Sequence, residues 1–515
     1  MFGNEKIRIA LLLAVAYMSF FAGIGRAPLF NKDEGAFCEA TREMLASGNY
    51  LMTYLNGEPR YDKPILIYWL QGLSVKIFGL SEFAFRLPSS IAASIWVLAL
   101  YLFARRRFGA ETAFWSAFFL MTSAQVTVIG KAAIADALLN LCIAVTMFSL
   151  WLYYERNDTT HLYAAAIAMA LGMLTKGPVA VLIPCAVTFL FCLIRGEWRR
   201  WCRSLAARGP ILLFVAIAVP WYAAVLWVQG WDFVEGFLLR HNVQRFGGPF
   251  EGHGGSLVYY VPVILVGVMP FTAVLLRSLS RFRDDFRDPF RQYLLLWFLF
   301  VWGFFSLSGT KLPHYVIYGY TPLFLLMALH LGEVRSDRWL LAPAVLLFMV
   351  LLALPAVLPL AIPRVKDPYA VDALRAAVGY LRHWTYLLPM GAGLGCLLAM
   401  TIARAPSRPW KLVAAGVITT AMVNFIGMFL TGAVLHQPVK EAALVAREHN
   451  LEVVAWQVSL PSFMVYQERL MPKTPSGPEV VVLTESHWLQ HLGEHEVLYE
   501  KHGISLARIT RLAGT

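Results

Sequence analysis

An acidic pair, Asp33 and Glu34, follows the first apolar run of the chain, and a third acid, Asp136, opens another such run in VIGKAAIADALLNLC. Between them, LNGEPRYDKPILIYWLQGL sets Arg60, Tyr61, Asp62 and Lys63 directly before a proline and an aromatic-rich stretch. Further on, GFLLRHNVQRFGGPFEGHGG carries Arg240, His241, Arg245 and His253, and SGTKLPHYVIYGYTP carries Lys311, His314, Tyr315 and Tyr318. A carboxylate can take the proton from an attacking hydroxyl. Arginine holds phosphate as a fork and lysine as a point charge. A carboxylate and an imidazole, here Asp62 and His241, can hold a divalent metal (Zn, Mg or Mn) against that phosphate and make it a better leaving group. Equally, Asp62 can orient Lys63 and Arg60. The set suits transfer from a lipid-linked phosphate donor, in a site wet on one side and open to lipid on the other.

Such residues need a frame. Of 515 residues, 58% are hydrophobic and 15% charged, against about 25% charged in a soluble domain. Apolar runs at roughly 7–24, 84–103, 112–130, 134–154, 162–175, 178–195, 210–228, 257–276, 291–307, 314–331, 339–361, 384–402 and 411–431 give about thirteen candidate membrane spans. The net charge of +12 does not point to nucleic acid, because most arginines sit in short loops between apolar runs. The six cysteines are scattered, with neither metal-site spacing nor a disulfide framework. The N-terminal apolar run is long and lacks a small-residue cleavage site, so a retained first helix is expected.

Arginine counting sets the sidedness. The loops RRRFG, RGEWRRWCRSLAAR, RSLSRFRDDFRDPFR and RAPSRPWK each follow an even-numbered span, which places them together and in the cytoplasm. The acids, bases and aromatics above then share the opposite, outer face. In the first outer loop, 25–83, EGAFCEATREMLAS reads as a short amphipathic helix and PILIYWLQGLSVKIFG as a second helix lying at the interface, with Pro64 in its first turn. After residue 431 the composition becomes polar. PVKEAALVAREHN reads as a helix, and EVVAWQV, FMVYQ, EVVVLT and HEVLYE read as short strands, giving a small α/β outer domain over 432–515 beside a membrane domain over 1–431.

The stretch NKDEGAFCEATREMLASGNYLMTYLNGEPRYDKPILIYWLQGLSVKIFGLSEFAFRLPS resembles the first outer loop of the ArnT-like, or protein-mannosyltransferase-like, GT-C glycosyltransferases. IADALL around Asp136, HNVQRFGGPFEGHGGSLVYYVPVILVGVMP and SGTKLPHYVIYGYTPLFLL agree with it. The resemblance covers residues 1 to about 330 and, beyond them, the overall layout and PSFMVYQERL. It implies a mainly α, polytopic membrane GT-C fold with an outer catalytic face. It also implies inverting transfer of a sugar, with 4-amino-4-deoxy-L-arabinose one candidate, from polyprenyl phosphate at the outer face of a bacterial inner membrane. The acceptor is then lipid A or another envelope glycolipid, no nucleotide cofactor is needed, and a monomer is expected.

On this resemblance Asp33 is the general base or acceptor-orienting acid, with Glu34 beside it and Asp136 in support. Lys63 holds the donor phosphate, helped by Arg60, Lys311 or Arg245. Tyr61, Tyr315, Tyr318 and His314 line the substrate path. The chain departs from the aminoarabinose transferases at two positions. Asp62 stands where they carry glutamate, and His241-Asn242 stands where they carry Glu-His, which shifts the metal-binding histidine by one place. The alternatives are a protein O-mannosyltransferase-like enzyme and, in another class, a lipid-linked sugar transporter or flippase. The clustering of candidates at one face, without an internal repeat, speaks against the transporter.

Overall fold

The computed structural model describes residues 5–244, 247–248, 254–334, 336–474 and 480–509. Among these, eight helices are long and apolar enough to cross a membrane: Glu82–Phe108, Asp136–Arg156, Arg208–Gln229, Pro289–Leu307, Pro313–Glu333, Asp337–Arg364, Trp384–Ile402 and Arg408–Glu448. Each coincides with one of the expected spans. The other five expected spans form shorter or interrupted helices. Glu5–Ala16 passes into a π-helical turn, Tyr17–Phe21, and Ala110–Thr122 breaks at Ser123 before Ala124–Ile129. Tyr260–Gly267 and Thr272–Ser280 flank Pro270, whose missing N–H and fixed φ interrupt the helix. Thr160–Lys176 and Val179–Ile194 meet at the TKGP turn.

The main apolar core of the helical bundle is rich in stacked and edge-to-face rings such as Phe103 on Phe148 and Trp151 against Phe290, and a second cluster, including Leu341, Phe348, Met390 and Leu397, joins the later helices. The two ends of the bundle are chemically distinct. Ion pairs Arg105–Glu5, Arg107–Glu155, Arg281–Glu333 and Arg408–Asp337 link the arginine-rich loops at one end. Asp62–His241 and Lys440–Glu82 tie segments together at the other. Loops assigned to one face by arginine counting thus touch each other.

In the first outer loop, Asp33–Ser47 and Leu66–Phe78 are helical as expected. They are joined by a two-stranded ribbon, β1 (Tyr54–Leu55) and β2 (Glu58–Pro59), turning at Asn56-Gly57 with positive φ at both residues. Pro64 sits just ahead of the second helix, which begins at Leu66 with Ile65 as its cap.

The last long helical run, Arg408–Glu448, passes through two π-helical turns and enters the C-terminal unit without a linker. There β3 (Val453–Ala455), β4 (Val480–Glu485), β5 (His495–Lys501) and β6 (Ile504–Ile509) form a sheet of order β3-β4-β6-β5, parallel only between β3 and β4. Alternate side chains, including Val453, Val481, Leu483, Ile504 and Leu506, pack under the helices Gln437–Glu448 and Pro461–Gln467. One sequence expectation is corrected here. FMVYQ is not a strand but most of the helix Pro461–Gln467. Pro461 supplies a preset first-turn φ, and Phe463, Met464 and Val465 are all buried because neighbours cover several sides of the helix. The strand lost there is replaced by β6, ISLARI.

Candidate active site

Asp33 occupies the first turn of helix Asp33–Ser47, where an acid complements the helix dipole. Its neighbour Glu34 points the other way, into protein. Arg86 of helix Glu82–Phe108 grips Glu34 with two bonds, Nε to Oε1 at 2.9 Å and Nη2 to Oε2 at 2.6 Å. The same carboxylate accepts the backbone N–H groups of Phe30 (2.9 Å) and Ala133 (2.7 Å). Burial alone would raise the Glu34 pKa; the Arg86 charge and these hydrogen bonds outweigh it and hold the carboxyl below its ordinary range. Arg86 also donates to the carbonyls of Ile24, Ala27 and Pro28. Glu34 therefore fixes the start of Asp33's helix against the 131–135 segment that leads into Asp136. It does not line the cavity.

That cavity, about 640 Å³, opens at the outer end and is lined by Asp33, Arg60, Tyr61, Asp62, Lys63, Asp136, His241, His314 and Tyr315 among others. The structure thus brings together most of the residues singled out from sequence. Asp33 is exposed on its wall and makes no ion pair or side-chain hydrogen bond among the described residues. Asp136, almost fully buried, accepts from Lys176 Nζ at 2.8 Å and from the Tyr318 hydroxyl at 2.6 Å, with His314 Nε2 at 3.9 Å. Lys176 also donates to the Tyr318 oxygen at 2.7 Å. Tyr318 thus reaches the site through Asp136 instead of forming the wall.

In the DKP segment, Lys63 Nζ lies 2.7 Å from Asp62 Oδ1, and Arg60 Nη2 lies 3.0 Å from Asp62 Oδ2. His241 Nδ1 is 3.2 Å from the same Oδ1. Arg60 also donates to the Ala36 carbonyl at 2.5 Å and lies over the Phe37 ring. Burial opposes ionisation of Asp62, but Lys63, the His241 hydrogen bond and Arg60 hold its carboxyl well below the usual range. As a metal site this set fits poorly: both carboxylate oxygens already face cationic side chains, and the Lys63 ammonium stands where an added cation would be repelled. Among the described residues no three His, Cys, Asp or Glu side chains cluster as metal ligands.

Lys311 is buried and donates to the Ser308 carbonyl at 2.6 Å, off the cavity wall, whereas Leu312, His314 and Tyr315 of its segment reach it. Arg245 and His253 lie outside the described residues.

Four contributors escaped the sequence reading. Lys176 ends helix Thr160–Lys176, and Gly177 turns the chain there at φ +81°, with Phe237 only 2.5 Å from where a Cβ would stand. Its signal was a lysine in a turn on the outer side, where the positive-inside rule disfavours one. Lys32, next to Asp33, also lines the wall. Ser459 and Pro461 line it from the C-terminal unit. That unit is clamped to the first loop: Gly35 packs so closely on Ser462 that a Cβ would meet its backbone nitrogen at 2.6 Å. Ser462 Oγ donates to Asn31 Oδ1, and Tyr466 accepts from the Leu29 N–H and donates to Glu82.

Comparison with known proteins agrees with this layout. Residues 62–227 match the dolichyl-phosphate-mannose-protein mannosyltransferase family. An uncharacterized protein of Aquifex aeolicus is 32% identical over 64% of this chain and 74% of its own length. The undecaprenyl phosphate-alpha-4-amino-4-deoxy-L-arabinose arabinosyl transferase of Erwinia tasmaniensis is 27% identical over 89% of this chain and 84% of its own. The crystal structure of ArnT from Cupriavidus metallidurans bound to undecaprenyl phosphate superposes with a TM-score of 0.81 at 19% identity, covering 98% of this chain and 99% of that one. The bundle, the outer cavity and its docked C-terminal sheet, together with these relatives, place the chain in the ArnT-like family of GT-C integral-membrane glycosyltransferases.

Proposed function

We propose that the protein is an inverting glycosyltransferase that moves a sugar from an undecaprenyl-type polyprenyl phosphate to lipid A or a related envelope glycolipid, at the periplasmic face of the inner membrane. The observation that carries this reading is the juxtaposition, in one outer cavity, of an unpaired carboxylate (Asp33) with an oriented lysine (Lys63). The donor phosphate binds Lys63, whose ammonium is held by Asp62, itself braced by Arg60. Asp33 takes the proton of the acceptor hydroxyl, whose oxygen forms the new bond to the anomeric carbon as the carbon–phosphate oxygen bond breaks on the opposite face. Polyprenyl phosphate leaves, its charge neutralised by Lys63. Asp136, set by Lys176 and Tyr318, lies deeper and positions this floor of the cavity. Tyr61, Tyr315 and His314 border the sugar.

The chain is proposed to cross the membrane thirteen times, the five shorter helical segments completing the eight long spans. Asp62 is assigned to orienting Lys63; retained activity after exhaustive chelation supports that assignment, and loss restored by Zn, Mg or Mn assigns Asp62 and His241 to a metal instead. The function is tested by incubating the protein in nanodiscs with undecaprenyl-phosphate sugars and lipid A. Sugar transfer that disappears in Asp33→Asn, with the protein still folded, is the expected result. Transfer at the normal rate by Asp33→Asn removes it from the mechanism, and no transfer to any envelope glycolipid overturns the reading.

A further inference from the structure

We propose that the Trp456–Trp488 pair at the margin of the C-terminal sheet, where the two rings stand edge to face, is a subsite for the saccharide part of the acceptor. One face of this sheet is covered by the helices Gln437–Glu448 and Pro461–Gln467. On the other, the turn Ser486–His491 covers a small buried cluster of Val480, Val482, Leu492, Ala507 and Ile509, with Trp456 and Leu489 at its border. The Trp456 and Trp488 rings lie 5.7 Å apart at 72°, and the His487 and His491 rings flank Trp488 at 4.8 and 5.3 Å. Both tryptophans are half-buried, and neither indole N–H has a hydrogen-bond partner among the described residues. Flat rings present an apolar face to the C–H side of a pyranose. Indole N–H, imidazole and carboxylate groups at their edges meet its hydroxyls. His487 Nδ1 lies 3.5 Å from Glu485, which supplies that carboxylate.

Two connections place this pair beside the cavity. Trp456 precedes the wall residue Ser459 by three positions, a span of at most about 11 Å. Gln457, at φ +57°, turns the chain between them. Glu485 lies within electrostatic range of Lys32, itself on the cavity wall beside Asp33. An oligosaccharide held on the tryptophans therefore lies beside the cavity whose wall carries Asp33.

The inference rests on the glycosyl-transfer reading, and its test separates the two. Acceptor and donor kinetics are measured on full-length protein in nanodiscs with lipid A as acceptor. Trp488→Ala raises the acceptor KM roughly tenfold with donor KM unchanged, and Trp488→Phe, which keeps a ring in the packing, recovers most of the loss. Trp456→Phe is similarly mild. An unchanged acceptor KM in Trp488→Ala overturns the subsite, as does a loss shared equally by donor KM. If wild type transfers no sugar at all, the transfer reading falls by itself. Saturation-transfer NMR with an unacylated β-1,6-linked glucosamine disaccharide then decides the subsite: signal lost in Trp488→Ala supports it, and signal absent or unaltered overturns it.

Discussion

Replacing Lys176 with methionine keeps most of the side chain's length and removes its charge. Lys176 supplies one of the two short bonds to Asp136, at 2.8 Å, and a second bond to Tyr318 at 2.7 Å. Removing one partner of a buried ion pair costs about 3–5 kcal/mol, because the other charge is left uncompensated. Two features lower that figure here. The Tyr318 hydroxyl still donates to Asp136, and His314 Nε2 stands 3.9 Å away. Lys176 also borders a solvated cavity. A loss of about 2–3 kcal/mol in folding stability is expected, with a fall of roughly 10²-fold in kcat/KM as Asp136 loses its place. The assay is transfer from undecaprenyl-phosphate sugar, with thermal unfolding followed on the same nanodisc preparations. Lys176→Met combined with Asp136→Asn should be little worse than the worse single variant, because the two side chains act as one unit. Lys176→Met within threefold of wild type, or a double variant whose loss is the product of the singles, refutes the reasoning.

Lys63→Ala should lose more activity than Lys63→Arg, and both should raise donor KM more than acceptor KM; steady-state kinetics in each substrate checks this. Gly35→Ala should loosen the C-terminal unit, since its methyl meets Ser462 backbone; a cost of about 1–3 kcal/mol should appear as faster proteolysis near residues 450–470. Glu39, fully buried, has its carboxyl pushed up to about 7, chiefly by burial and only partly offset by the Arg42 fork. The folded state then binds this proton more tightly than the unfolded one, so the contribution of Glu39 to stability is fully present below about pH 4.5 and is lost as pH rises toward 7. Melting curves from pH 5 to 7.5 should show this slope in wild type and lose most of it in Glu39→Gln.

Much of the site was legible because charge is conspicuous in an apolar chain. Asp33, Lys63, Asp136 and His314 stand out by type, and arginine counting puts them on one side. Lys176 was hidden because TKGP also reads as an ordinary turn, and only the fold shows that its lysine meets an acid 40 residues earlier. Glu34 and Lys311 illustrate the converse: sequence marks them as charged and outer, but their direction is set by packing, toward Arg86 in one case and the Ser308 carbonyl in the other. Span counting succeeded for long uniform runs such as 339–361 and blurred where Ser123 or Pro270 divides a run. FMVYQ misled because β-branched and aromatic content marks burial as readily as strand.

The wall formed by Ser459 and Pro461 has a temporal meaning. These residues are synthesised more than four hundred positions after Asp33, when the bundle's helices have already entered the bilayer. Until that stretch is translocated and Ser462 settles against Gly35, the cavity lacks one side. Catalytic competence is thus deferred to the final stages of biogenesis, and a chain stalled or cleaved before them is a membrane-inserted bundle with an unfinished site.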